Sequence, residues 1–142
     1  PSNLTVPKAV TNFTGDKLFT GSIEGNFGTT DFSGLPIQQI NDLNSTITSI
    51  FSSSDDQWVI AGCKDGSIHL FSGNSFVHKH TLHDHEFPIT SVSISPEGKR
   101  FSTSSLDGRI NSYTLPDCTP KWSVSAKDHN TSFDYIEYNS IG

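Results

Sequence analysis

The chain has 142 residues, of which 15 are acidic and 9 basic, and its formal net charge is −6. No run approaches 18 consecutive apolar residues and no charged start leads into an apolar stretch, so neither a membrane span nor a signal peptide is expected. The lysines and arginines occur singly or in isolated pairs, which argues against a nucleic-acid surface, because such a surface needs clustered cations to displace counterions.

The apolar share is 32%, rising to roughly 40% once the 11 glycines are added, and this fits many short strands and loops. A first such stretch, VTNFTGDKLFTGSIEG, starts at Val10. The next begins with ITSIF (Ile47 to Phe51), where apolar and hydroxyl residues alternate as on a half-buried strand. The turn formers SSSDDQ follow, then a second strand WVIAGC, the tight turn KDG and a third strand SIHLF. HKHTL reads as an exposed fourth strand. The same order then recurs as ITSVSIS (Ile89 to Ser95), SPEGKR, RFSTSS, LDG and RINSY, with KWSVS as the outer strand. No helical apolar period of ten residues interrupts the series, so the expected class is all-β.

The series is a repeat. Ile47 and Ile89, Asp65 and Asp107, and Phe71 and Tyr113 are each 42 residues apart. The copy from Val10 sets Gly21 against Gly62 and Glu24 against Asp65, with its third strand expected to be displaced by an insertion around Asn26 to Gly28. FDYIEYNS (Phe133 to Ser140) opens a fourth copy, and Asp84-His85 is matched by Asp128-His129. The repeats run over about 9–46, 47–88 and 89–132, with the start of another at 133–142, in one segment.

These residues resemble the WD40-repeat family, whose period of about 40–45 residues builds four-stranded propeller blades. In that family a His before the innermost strand, a Ser or Thr on the second strand, an Asp in the next turn and a Trp on the third strand form a hydrogen-bonded network. The resemblance implies that His85, a hydroxyl from Ser102 or Ser104, Asp107 and Tyr113 take those places in one repeat. It places Asp65 and Phe71 in the preceding repeat and His129 in the following one. Gly-His is replaced by Asp-His, no Trp-Asp occurs, and Phe32, Phe71 and Tyr113 stand at the Trp position.

At about 42 residues per blade the chain holds about three and a half blades, while propellers close with 4–8. It contains no Met and begins at Pro1, so it reads as an excised or processed piece of a longer propeller. Two copies forming one ring, or a second subunit completing it, are the other arrangements that would cover its open edges.

The chemistry-bearing residues favour binding over catalysis. His78 and His80 would project from one face of a strand, near His83, Asp84, His85 and Glu86, but their spacing matches no familiar zinc pattern, and no metal or cofactor is expected. Asp65 and Asp107 recur once per repeat, which fits turn closure and not an active site. Cys63 reads as a buried thiol and Cys118 gives at most one disulfide with it, pointing to a reducing compartment, cytoplasm or nucleus. Sequons stand at Asn3, Asn12, Asn44 and Asn130, of which about two are expected by chance in so Asn-, Ser- and Thr-rich a chain. Trp58 is expected in the core, and Trp122 on an exposed outer strand.

The function that the resemblance implies is a non-catalytic scaffold whose rim binds other proteins within a complex. Its candidate contacts are Ile23, Lys64 and Leu106, each just before the turn acid, with Glu86 and Phe87 beside His85. A small-ligand or metal-binding propeller, or a half-ring with a purely structural role, are the alternatives.

Overall fold

The computed structural model describes residues 8–11, 15–31 and 39–125. The described chain folds into three four-stranded antiparallel sheets, each a simple meander. The first holds β1 (Lys8–Thr11), β2 (Lys17–Gly21), β3 (Asn26–Asp31) and β4 (Gln39–Asp42). The second holds β5 (Ile47–Ser52), β6 (Trp58–Cys63), β7 (Ile68–Ser72) and β8 (His78–Leu82). The third holds β9 (Ile89–Ile94), β10 (Arg100–Ser105), β11 (Arg109–Thr114) and β12 (Pro120–Ser125). These are consecutive blades of a partial propeller. Phe133 to Ser140, His129 and Phe32 lie outside the described residues.

Strand alternation explains how the blades stack, because neighbouring residues point to opposite faces. On β6, Val59, Ala61 and Cys63 face the first blade and join Phe19, Phe27, Phe71 and Phe76 in one buried cluster. Phe27 meets the edge of Phe71 at a centroid distance of 5.0 Å. From the other face of the second blade, Ile60, Ile68 and Leu70 pack against Ile89, Val92, Phe101 and Tyr113 of the third. Trp58 is half-buried against this second cluster. Each fully buried Phe, Ile or Leu contributes about 1.5–3 kcal/mol, so these two apolar seams outweigh any single polar contact between blades.

Two glycines set the spacing of the seams. A side chain at Gly21 would begin 2.5 Å from Cγ2 of Ile47, and one at Gly62 would begin 2.5 Å from Cγ2 of Ile89. In each seam the first residue of an inner strand sits in the hollow left by the preceding blade. Polar staples close the opposite end: Lys17 Nζ donates to the carbonyls of Gly73 (3.1 Å) and Asn74 (2.8 Å), and the Ser54 hydroxyl donates to the Pro96 carbonyl at 2.8 Å.

The other face of the third blade differs. The pairings Ser102↔Ser93, Ser102↔Ser112 and Ser104↔Ser91 put five serines on one side of β9 to β11. Ser104 stands at the position of Gly62, and its hydroxyl lies 2.8 Å from that of Thr90.

The expected insertion in the first repeat is not there. β2 and β3 pair without a shift, and Gly21↔Phe27 repeats the geometry of Gly62↔Ile68. The residue of the first blade equivalent to Phe71 is therefore Thr30, not Phe32.

Candidate functional site

At one end of the blades the turn after the second strand meets the loop entering the following blade, Gly25 lying against Asn44 and Ser45 and Gly66 against His85 and Phe87. In the third blade this junction is built on His85, whose side chain is fully buried. Its Nδ1 lies 2.8 Å from Asp107 Oδ2 and its Nε2 lies 2.8 Å from Thr103 Oγ1. A carboxylate only accepts, so Nδ1 carries the proton and Nε2 accepts from the Thr103 hydroxyl and, at 3.3 Å, from the Asn111 amide. The ring thus ties the loop to strands β10 and β11 and to the turn between them.

The hydroxyl on His85 belongs to Thr103, which replaces Ser102 and Ser104 as the expected partner. Phe101 and Thr103 share the face that packs on the second blade, whereas Ser102 and Ser104 share the opposite one. Alternation counted from the core residue Phe101 would have identified Thr103. Asn111 was legible only through the register that sets it opposite Thr103.

Tyr113 does not touch this hydroxyl. Its own OH donates to Asp84 Oδ2 at 2.8 Å, so the loop is held by two successive residues, Asp84 and His85. Burial, followed by the hydrogen bond to Asp84, pushes the Tyr113 phenol well above its usual range. A groove of about 440 Å³ opens beside this bond, lined in part by Arg109, Lys121 and Trp122, and the indole of Trp122 is exposed.

The second blade lacks the network. Counting back 42 residues, Leu43 replaces His85, Ala61 replaces Thr103 and Phe71 replaces Tyr113, and all three are buried in the seam with the first blade. Asp65 remains, but it is met by Ser67, whose amide lies at 2.9 Å and hydroxyl at 2.6 Å. Partial burial pushes the Asp65 carboxyl up, yet the bonds from Ser67 prevail and hold it below its usual range. The buried imidazole of this blade is His69, at the position of Asn111.

The expected His78 and His80 face is also corrected. A register shift lies between Leu70↔His80 and Phe71↔His78, so Lys79 is an extra residue and the two histidines point to opposite sides. His78 stacks on Phe71 (4.7 Å between centroids) and approaches His69, while His80 shares the side of Leu70. Among the described residues no group of three or more His, Cys, Asp or Glu is arranged to hold a metal ion. Cys63 and Cys118 are free thiols in different seams, and burial pushes each up to about 11.

The rim candidates are all exposed. Ile23, Leu106 and Phe87 are 46%, 50% and 53% accessible although apolar, and Lys64 and Glu86 are exposed beside them. Backbone bonds fix their loops. Leu106 N donates to the Pro88 carbonyl at 3.0 Å, Lys64 N to the Thr46 carbonyl at 2.8 Å, and the Thr46 hydroxyl to the Ile23 carbonyl at 2.5 Å. Gly66 adopts φ +90° and lies against the backbone of His85 and Phe87, so the β6–β7 turn is seated directly on the loop that carries Phe87.

The WD domain, G-beta repeat model matches residues 36–72 and 76–113, more than half of the chain. The chain belongs to the WD40 family. It is 34% identical over 82 residues to WD repeat-containing protein 1 of Bos taurus and 35% identical over 82 residues to that of Gallus gallus. Those matches cover 57% of this chain and 14% of each relative, so the chain spans only a small part of their length. Actin-interacting protein 1 of Drosophila melanogaster is 34% identical over 55 residues, 39% of this chain and 9% of the relative. The crystal structure of the RRP9 WD40 repeats superposes on 93% of this chain and 42% of its own with a TM-score of 0.82 at 11% identity, a likeness of fold. As a WD40 segment, the chain keeps the His–Thr–Asp connection in its third blade and replaces it by apolar packing in its second.

Proposed function

We propose that this WD40 segment is a non-catalytic protein-interaction scaffold and that its partner docks on the rim formed by Ile23, Lys64, Glu86, Phe87 and Leu106. The observation that carries this reading is that three large apolar side chains stand about half exposed on loops anchored by backbone bonds. Apolar residues held out of the core within a polar rim are the residues that anchor interfaces, because they bury area without first having to be ordered. The WD40 family is generally non-catalytic, and the acids that recur here serve turns: Asp65 binds Ser67, and Asp107 binds His85 and Arg109. The remaining blades of the ring are supplied by a longer chain or by another subunit.

The Drosophila relative is named for an interaction with actin, which makes filamentous actin the first probe. Co-sedimentation of the full chain with actin filaments is compared with that of a Phe87→Asp, Leu106→Asp variant of unchanged melting temperature. Loss of an anchor costs about 2 kcal/mol, roughly thirty-fold in affinity, so the variant should leave the pellet. Binding that survives both substitutions removes the rim from the interface, and no binding by the parent chain removes actin as its partner.

A further inference from the structure

We propose that the groove on the outer half of the third blade is a docking site for an acidic, extended peptide segment of another protein, held by Arg109 at one end and Lys121 at the other. The proposal does not rest on the rim or on its partner.

The groove is left open by one replacement. Tyr113 pairs with Pro120 as Phe71 pairs with His78, 42 residues earlier, and the same register shift adjoins each pairing. In the second blade the His78 ring lies on Phe71, with 4.7 Å between centroids, and occupies the space beside the strands. In the third blade Pro120 is too short to do so, and Asn111 stands in the place of His69. A volume of about 440 Å³, bordered by Asn111, Tyr113 and Pro120, remains.

Its walls carry positive charge that the fold does not use. Arg109 and Lys121 are exposed, in a chain whose net charge is −6, and among the described residues neither is paired with a carboxylate. The neighbouring acids are engaged elsewhere. Asp84 accepts from the Tyr113 hydroxyl at 2.8 Å, and Asp107 meets His85 and the backbone amide of Arg109, both at 2.8 Å. Arg109 Nη1 donates to Ser123 Oγ in the groove wall at 3.1 Å, which orients the guanidinium and leaves its other N–H groups for a ligand.

The spacing selects an extended chain. Arg109 and Tyr113 are four residues apart on β11, about 13 Å at the rise of a strand, and Lys121 stands beside Tyr113. A lone oxyanion meets one cation and leaves the other unpaired. In an extended peptide, residues i and i+4 project from one side at the same separation of about 13 Å, so acids at those two positions reach both cations. Strand addition to the edge of β12 is not the mode, because Pro120 offers no N–H and Lys121 is the extra residue of a bulge, two devices that blunt an edge. The segment lies in the groove instead, with its middle against Pro120 and the exposed Trp122.

Fluorescence anisotropy on the full chain tests the site, with a labelled, end-blocked Glu-Thr-Val-Thr-Glu peptide as the probe, since its β-branched middle favours the extended form. The probe should bind saturably at low salt, and the same peptide with glutamine at both ends should not. Arg109→Gln and Lys121→Gln should each weaken binding roughly threefold and together about tenfold, the size expected of exposed ion pairs. Lys79→Gln is the control and should leave the affinity unchanged, because Lys79 is the equivalent bulged lysine of the second blade, where His78 fills the space. Pro120→His, an exposed change checked by its melting temperature, refills the groove as His78 does. Measured at about pH 8, where an exposed imidazole is neutral, it should weaken binding about tenfold with no change of charge. Equal losses from Lys79→Gln and Lys121→Gln would show diffuse attraction to lysine, and unaltered binding by Pro120→His would show that the groove holds nothing. Either result overturns the proposal, as does binding of the glutamine peptide or no binding at all.

Discussion

Tyr113 and Asp84 are joined by a 2.8 Å hydrogen bond between two positions where this chain departs from the WD40 pattern. The family has Gly before the loop histidine and Trp on the third strand; here the Gly position has gained a carboxylate and the Trp position a phenol that reaches it. The two departures are one change, because a carboxylate at that place has a donor to meet and a buried phenol has an acceptor. Hydrogen bonds to charged groups contribute about 1.5–3 kcal/mol, reduced here by the exposure of Asp84. Asp84→Ala and Tyr113→Phe combined in a double-mutant cycle, read by urea unfolding, should show a coupling of about 1–2 kcal/mol. Independent, additive losses would show that the bond does nothing for stability.

Gly62 and Ile89 make a prediction about packing. A Cβ at position 62 would lie 2.5 Å from Ile89 Cγ2 and 2.8 Å from Ile89 Cβ, and the second of these atoms cannot swing aside. Gly62→Ala should therefore destabilise by about 1–3 kcal/mol, the usual cost of forcing a methyl into a full core, although Ala is normally the easier residue to fold. Combining it with Ile89→Ala should cost less than the sum of the two single changes. A simple sum would mean that the blades separate to make room and that the seam is looser than its geometry.

Asp107 and Asp65 occupy equivalent turns but should differ in what their loss does. Asp107→Ala strips the partner from Nδ1 of a fully buried imidazole, which leaves an unpaired donor and costs about 1–3 kcal/mol. Asp65 is exposed, and although its partner Ser67 is buried, the Ser67 hydroxyl also lies 3.1 Å from His69 Nε2 and can donate there instead, so Asp65→Ala should cost less than Asp107→Ala. Chemical denaturation of both variants gives the comparison. Equal losses would show that His85 contributes nothing beyond the turn.

The blade architecture was legible because its signal is redundant: the 42-residue offset is carried at once by Ile47, Asp65 and Phe71 and by their partners Ile89, Asp107 and Tyr113. What escaped depended on single residues. Thr103 was passed over because four hydroxyl residues stand in a row on β10 and only the face of Phe101 tells them apart. The face shared by His78 and His80 failed because one extra residue, Lys79, inverts the alternation, and nothing in HKHTL marks a bulge. The insertion expected near Asn26 arose from matching Phe32 to Phe71, whereas the turn length that sets the strand, Gly21 to Phe27, equals that from Gly62 to Ile68. The loss of the network in the second blade could be read only once Leu43 and Ala61 were seen to occupy the places of His85 and Thr103.

His69 makes the stability of the second blade sensitive to acid. Burial, aided by His78 and His83 and opposed by Asp65, lowers its pKa from 6.5 to about 4. The unfolded chain therefore takes up a proton at a pH where the folded chain does not. The sign follows: stability is fully present above about pH 6.5, declines as the pH falls, and stops declining through this group once the folded form also titrates near 4. A shift of this size corresponds to a few kcal/mol, at about 1.4 kcal/mol per pH unit. His69→Asn copies the third blade, where Asn111 holds the same position, and removes the titrating group without emptying the site. The parent chain should lose stability between pH 6.5 and 4 and the variant should lose less by a margin of that order. Parallel pH profiles for the two proteins would mean that His69 titrates alike in the folded and unfolded chain and that its burial does not hold it neutral.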